Sequence, residues 1–164
     1  MKRRCGKDAC VSADLEEIFV SYDPTRQSTQ PDLRTNFTLA HELGHVVMHA
    51  DYFRAFAASL GRHADTADWV RAVLDQSATI TASQIEREAD EFAGRILVPP
   101  RLLQAEYAEL LARLSIDTPR LLSVGNDDAV RGYLAPRLSR RFAVSAQVIE
   151  CRLRLEGIFP PASA

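Results

Sequence analysis

Long apolar runs and cysteines are scarce in this sequence, and each scarcity excludes a class of protein. No run approaches the roughly 18 apolar residues that a membrane-spanning helix needs. No apolar stretch follows the basic N-terminus, MKRRCGKDAC, so we expect no secretory signal. Three cysteines are too few, and odd in number, for a disulfide framework. We therefore expect a cytoplasmic protein that does not associate with a membrane.

A strong excess of charge of one sign is also lacking. The formal net charge is -2 and the pI is about 6.1. A protein that binds nucleic acid over its whole surface would normally be basic, so this class is disfavoured, although a local basic patch would still be compatible. The 164 residues are 46% hydrophobic and 26% charged, which is typical of a globular domain with a buried core.

The hydrophobic pattern predicts few strands and many helices. The β-branched and aromatic run Ile18–Tyr22 predicts a strand. From Pro31 to Met48, apolar residues recur at spacings of three and four, which predicts a helix. Its predicted buried stripe consists of Leu33, Phe37, Ala40, Gly44 and Val47.

Further helices are predicted later in the chain, whereas residues 50–65 have no clear period. The predicted helices cover residues 67–74, 82–97 and 101–114, short helices beginning at Thr118 and after Asp128, and residues 146–156 with a cap at Val144-Ser145 and an end at Gly157. We therefore predict an α+β fold in which helices dominate.

The most informative sequence is His41-Glu42-Leu43-Gly44-His45, within the first predicted helix. Two histidines at positions i and i+4 lie on one helix face and can bind the same zinc ion. The intervening Glu42 can take a proton from a water molecule at such a metal. The pattern predicts a catalytic zinc site with His41 and His45 as ligands and Glu42 as the general base.

A catalytic zinc usually has a third protein ligand, for which Glu86 is the preferred candidate. At about 100° per residue, Glu86 lies at the edge of the buried helix face with Asp90 one turn later, whereas Glu88 is predicted on the solvated side. Asp90 is predicted to accept a hydrogen bond from a zinc-binding histidine. The predicted apolar stripe of this helix is Ile85, Ala89, Phe92 and Ile96.

Two alternative third ligands remain at the end of the first zinc helix. His49 lies four residues after His45, and a straight helix cannot bring three such histidines to one ion, so we expect a surface residue or a partner of a ligand. Asp51 lies ten residues after His41, where some zinc peptidases place a ligand after a glycine turn, but Met48 occupies the place of that glycine.

The sequence resembles the ImmA/IrrE family of zinc metallopeptidases over about residues 16–158. The similar motifs are FTLAHELGH at 37–45, EREADEFA at 86–93, ILVP at 96–99, RFAVS at 141–145 and RLRLEG at 152–157. The resemblance implies a thermolysin-like site with ligands His41, His45 and Glu86. It also implies that the protein cleaves or disables a repressor protein in stress response or mobile-element control.

The resemblance completes the predicted domain organisation. We predict a loose tail over residues 1–13, a zincin-like metallopeptidase core over 14–115 and a C-terminal helical segment over 116–164, packed on the core. The stretch 50–82 looks longer than is usual in the family, which suggests a lid or an extra surface helix. The Ile18–Tyr22 strand could align an extended peptide by edge pairing, and Tyr22, His49 and His63 are candidate donors to the oxyanion.

Two other functions are compatible with parts of the sequence. Residues 138–148 resemble a helix-turn-helix within a segment that is rich in arginine, which is compatible with DNA binding. The arginines are residues 131, 137, 140, 141, 152 and 154. A zinc-bearing sensor that does not cut would have the same ligands. Cys5 and Cys10 could bind a metal or sense redox state, whereas Cys151 is predicted in the core.

Overall fold

The structure is a computed structural model that describes residues 9–20, 33–61, 63–76, 80–114 and 130–159. The fold is α+β with helices dominant, as predicted, and two strands form an antiparallel sheet. The strands are β1 (Ala9–Val11) and β2 (Ile18–Val20). Tyr22, Pro31 and the helices predicted to begin at Thr118 and after Asp128 lie wholly or partly outside the described residues.

Seven α-helices and one π-helix follow the sheet within the described residues. They are α1 (Leu33–Met48), α2 (Ala50–Leu60), α3 (Thr66–Gln76), α4 (Ile80–Leu97), α5 (Pro100–Arg113), a π-helix (Val130–Leu134), α6 (Ala135–Phe142) and α7 (Ala146–Leu155). Ser145 caps α7 and Gly157 follows it with φ 63°, as predicted. None of the helices in these ranges is both long and apolar enough to cross a lipid bilayer.

The chain divides into two compact units, Met1–Ala93 and Gly94–Ala164. The first unit contains the β1–β2 sheet, α1, α2, α3 and the part of α4 up to Ala93. The second unit is organised around a core of apolar side chains from α5, α6, α7 and the segments that flank them. Its members are Val98, Leu103, Tyr107, Leu111, Leu134, Ala135, Leu138, Phe142, Val144, Ile149, Leu153 and Phe159. The domain boundaries expected from the sequence remain a prediction.

The prediction of a loose tail over residues 1–13 is wrong for Ala9–Val11, which form a strand. Residues Ala9–Val11 pair with β2, opposing Val20, Phe19 and Ile18, and all three are buried. A turn over residues 12–17 closes the hairpin, in which the Ser12 amide donates to the Glu17 carbonyl at 2.8 Å. The strand was missed because three residues are too few to show a period, and their burial comes from helix α1.

The predicted apolar stripe of α1 is also wrong in part. Val47 is 61% exposed, whereas Glu42, Gly44 and His45 are buried with Ala40. The face that meets the rest of the unit therefore includes polar residues, and apolar periodicity cannot reveal such a face. Two other apolar predictions also differ from the structure, because Ile96 of α4 and Cys151 of α7 are exposed. The buried face of α7 consists of Ile149, Arg152 and Leu153.

Candidate metal centre

The candidate metal centre lies where α1 and α4 approach each other closely. Gly44 lies directly against Ala89, so a Cβ at Gly44 would lie 3.2 Å from the Cα of Ala89 and 3.1 Å from Cδ1 of Phe92. Ala89 is fully buried. The missing side chain therefore allows the two helices to come together between the histidine pair of α1 and the carboxylates of α4.

Three donor atoms converge at this contact. The Nε2 atoms of His41 and His45 are 3.1 Å apart, and the carboxylate oxygens of Glu86 lie 3.1 Å and 3.3 Å from them. A tetrahedral zinc ion with bonds of about 2.0–2.1 Å would separate its ligand atoms by about 3.3 Å. The donor set and its spacing fit such an ion, and within the described ranges this is the one His/Cys/Asp/Glu group of this kind.

Asp90 lies where the sequence predicted a partner of a zinc histidine. Its Oδ1 is 3.0 Å from Nδ1 of His41, on the side of the ring opposite Glu86. Burial opposes the charged form of His41, but the hydrogen bonds to Asp90 and Glu86 outweigh it and raise the pKa of His41 to about 10. Burial likewise opposes the charged form of Glu86, yet the two histidines lower its pKa to about 2.

Glu42 is buried, with 5% of its surface exposed. It accepts a hydrogen bond from the amide of Val11 in β1. Burial raises the pKa of this carboxyl group, and the nearby His41 and His45 partly offset the effect. A buried carboxylate with a raised pKa beside the two converging histidines is a candidate general base.

Strand β1 presents its outer edge to the site through Val11. Opposed pairs in an antiparallel sheet alternate between hydrogen-bonded and non-hydrogen-bonded. The bond from Ser12 to Glu17 makes Val11 and Ile18 a non-hydrogen-bonded pair, so the amide and carbonyl of Val11 point away from β2. The amide contacts Glu42, and the indole of the buried Trp69 donates to the carbonyl at 2.7 Å.

The stretch 50–82, of which residues 62 and 77–79 are not described, supports the site with aromatic side chains. Phe53 of α2 packs edge-on against the His45 ring, with 5.1 Å between the ring centres. Trp69 of α3 contacts Phe53 and Phe56. The stretch therefore contributes two helices, with Phe53 and Trp69 buried, rather than a single extra surface helix.

The alternative third ligands do not reach the donor group. Asp51 is fully exposed on α2 and pairs with Arg54. His49 is buried, with Nδ1 3.2 Å from Nδ1 of His45 and Nε2 2.9 Å from a carboxylate oxygen of Glu88. The side chain of Glu88 is 41% exposed, and it also extends back to His49, a contact that the helix spacing did not predict.

The candidate oxyanion donors find little support in the described residues. Both ring nitrogens of His49 already have partners. His63 is exposed in the turn before α3, and Tyr22 lies outside the described residues. The group that stabilises the oxyanion therefore has no assignment among these three.

Contacts within their own unit are described for Arg137, Arg141 and Arg152 of the C-terminal arginines. Arg152 is 2% exposed, contacts Glu156 and fills the space that a side chain at Gly94 would occupy. Arg141 bonds Glu106 at 2.9 Å, and Arg137 lies over the ring of Tyr133. Arg152 is therefore part of the packing of its unit, whereas Arg141 and Arg137 remain exposed.

The cysteines offer no second metal site within the described residues. Cys10 is buried in β1, where burial and the charge of Glu42 raise the pKa of its thiol. A raised pKa disfavours the thiolate, which is the form that binds metals. Cys5 lies outside the described residues.

Substitution of Gly44 by alanine is expected to weaken zinc binding. The new Cβ would force Ala89 and Phe92 back by a few tenths of an ångström, which exceeds the about 0.2 Å tolerance of metal–ligand distances. We expect the zinc Kd to rise about tenfold, while the better helix propensity of alanine offsets part of the strain in the metal-free fold. Chelator competition measures the Kd, and an unchanged Kd would show that this close approach does not set the ligand geometry.

The charged groups of the centre predict how the stability of metal-free protein depends on pH. Glu86 has a lowered pKa, so its contribution is complete above the ordinary value of 4.5 and disappears as the pH falls toward about 2. His41 has a raised pKa, so its contribution is complete below 6.5 and disappears as the pH rises toward about 10. The cluster therefore stabilises the protein most between about pH 4.5 and 6.5.

Thermal unfolding of chelator-treated protein over a series of pH values tests this dependence. Asp90→Asn should flatten the alkaline side, because it removes a carboxylate that stabilises protonated His41. If wild type and variant lose stability equally at alkaline pH, Asp90 does not stabilise protonated His41.

A sequence profile of a peptidase family, M78, whose domain is described as IrrE N-terminal-like, matches residues 27–154. The matched range includes α1, α4 and every residue of the donor group. No curated protein and no solved structure matched the chain in the corresponding searches. The profile agrees with the motifs around His41, Glu86 and Pro99, and the chain therefore belongs to the ImmA/IrrE family of metallopeptidases.

Proposed function

We propose that the protein is a cytoplasmic zinc endopeptidase that cleaves a regulatory protein, with a transcriptional repressor as its substrate, in stress response or mobile-element control. The observation that carries the proposal is the convergence of His41, His45 and Glu86 beside the buried carboxyl group of Glu42. Two imidazoles and one carboxylate suit zinc better than magnesium or calcium, which prefer oxygen ligands. They also leave a coordination position for a reactant.

The chemistry follows from the positions of these residues. Zinc, when bound, would acidify a water molecule and polarise the scissile carbonyl. Glu42 would accept a proton from the attacking water and pass it to the leaving amine. Val11 would orient Glu42 through its amide, and Asp90 would hold the ring of His41. These roles use only side chains and a backbone group that already contact one another.

The sequence also predicted that a strand edge could align an extended substrate peptide. The sequence suggested the strand Ile18–Tyr22 for this role, but β1 is the strand that contacts Glu42. At Val11 the outer edge of β1 is occupied by Glu42 and Trp69. A peptide could pair with β1 at this residue only by displacing the buried Trp69, which argues against alignment of the substrate at this edge.

Two measurements test the proposal in sequence. Metal analysis of purified protein should give about one equivalent of zinc, and less than about half an equivalent with no gain on reconstitution would contradict the metal site. Zinc-loaded protein should then cut a repressor encoded beside it, giving two fragments by intact-mass analysis. If the repressor stays intact while a proteome-derived peptide library is cut, the protein is a peptidase but this repressor is not its substrate.

A further inference from the structure

The metal ligand His45 begins a chain of contacts that ends at the protein surface. Its Nδ1 lies 3.2 Å from Nδ1 of His49, and Nε2 of His49 lies 2.9 Å from Oε2 of Glu88. The side chains of His45 and His49 are 4% and 6% exposed, whereas that of Glu88 is 41% exposed. The chain therefore connects a buried imidazole to a carboxylate in contact with water.

The contacts define one consistent arrangement of protons. The Nε2 atom of His45 faces Glu86 and His41, so metal binding there leaves the ring proton on Nδ1. That N–H can donate to Nδ1 of His49. His49 must then carry its own proton on Nε2, where Glu88 accepts it. Both histidines are neutral in this arrangement, and each N–H has an acceptor.

The same helix supports both metal histidines by different routes. Asp90 of α4 accepts directly from Nδ1 of His41, whereas Glu88, two residues earlier, acts on His45 through His49. A partner on the second ring nitrogen fixes the tautomer and orientation of a metal-binding histidine and raises its basicity. Phe53 contacts the His45 ring but has no hydrogen-bond acceptor for its N–H.

We propose that His49 and Glu88 are positioning residues that hold His45 in the Nδ1–H tautomer and so raise the affinity of the centre for zinc. The inference rests on the proposed function only in requiring that His45 binds the metal. This proposal assigns a role to His49, the third histidine of the sequence HELGHVVMH. His49 cannot itself reach the donor group as a ligand.

Zinc affinity, measured by chelator competition on the full chain, tests the proposal independently of any substrate. His49→Phe keeps the bulk of the ring but removes the acceptor, and should raise the zinc Kd about tenfold. His49→Gln, whose amide can accept from His45 and donate to Glu88, should recover part of the loss. Glu88→Gln should weaken binding less than His49→Phe does, because it removes the charge at an exposed position but keeps an acceptor.

Two matched variants control for the loss of an imidazole and of a carboxylate. His63→Gln removes an exposed histidine, and Asp51→Asn removes an exposed carboxylate on the neighbouring helix. Both should leave the zinc Kd unchanged. A zinc Kd for His49→Phe within about twofold of these controls would overturn the proposal. If that variant does not fold, an unchanged Kd in His49→Leu, which also removes the acceptor for His45, would do so.

A spectroscopic measurement separates positioning from simple packing. Nitrogen-15 spectra of the histidine rings in zinc-loaded protein should show His49 as the neutral Nε2–H tautomer and His45 as Nδ1–H. A doubly protonated His49, or its opposite tautomer, would contradict the arrangement. If wild-type protein binds no zinc, the proposed function fails; if it binds zinc and these variants bind it equally well, only the positioning role fails.

Discussion

Replacement of Glu42 by glutamine is expected to lower peptide hydrolysis by about 10²–10⁴-fold while zinc stays bound. The amide of glutamine cannot accept the proton of the attacking water, but it has nearly the shape of the carboxyl group. Glu42 is not among the three converging donors, so its loss should not empty the centre. Mass spectrometry of a proteome-derived peptide library measures the new N-termini, and elemental analysis measures the zinc.

Asp51→Asn is the matched control for this variant, because it also converts a carboxylate to an amide near the end of the zinc helix. The exposed Asp51 does not reach the donors, so both cleavage and zinc content should equal those of wild type. If Glu42→Gln cleaves peptides as fast as wild type does, Glu42 is not the general base. Absence of cleavage by zinc-loaded wild-type protein on both the library and intact repressors would favour a zinc-bearing sensor that does not cut.

Replacement of Glu86 by glutamine should have the largest effect on the metal itself. We expect the zinc Kd to rise at least about 100-fold, beyond the effect usual for residues that only contact a ligand. At a zinc concentration of about 1,000 times the wild-type Kd, zinc stabilises the folded protein by about 4.1 kcal/mol, and a 100-fold weaker site would lose about 2.7 kcal/mol of this. For a chain of this size the loss corresponds to about 5–10 °C in Tm.

Paired thermal scans with and without zinc measure this difference. The metal-free variant also lacks the ion pairs of Glu86 with the two histidines, so the quantity to compare is the zinc-induced shift rather than the absolute Tm. Asp51→Asn should show the full wild-type shift. A full shift in Glu86→Gln would mean that the third ligand comes from another part of the chain.

The selection of Glu86 shows how far helical geometry could be used without a structure. Its spacing from Asp90 placed both residues at one edge of the buried face, and they do contact the same histidine, His41. The same geometry placed Glu88 on the solvated side, where its side chain is 41% exposed, but it did not reveal the contact with His49. A long side chain can extend around a helix to a partner on a neighbouring element, and residue spacing alone contains no information about that neighbour.

The residues before α1 illustrate a second limit. The strand at Ile18 was predicted because its residues have high β propensity, but the strand over Ala9–Val11 was not. Its importance comes from two contacts at Val11, with Glu42 and with Trp69, which are 31 and 58 residues away along the chain. Contacts between such distant residues leave no local periodicity in the sequence.

The sequence by itself determined the candidate metal site of this protein. A histidine pair at helical spacing, a carboxylate between its members and a second acidic helix are local patterns, because the repeat of a helix fixes which side chains share a face. Only the tertiary structure decided which further residues serve the site. The absence of a side chain at Gly44 brings α1 against α4, and this approach, together with the packing of α2 and β1, selected His49, Glu88 and Val11 as further partners of the central residues.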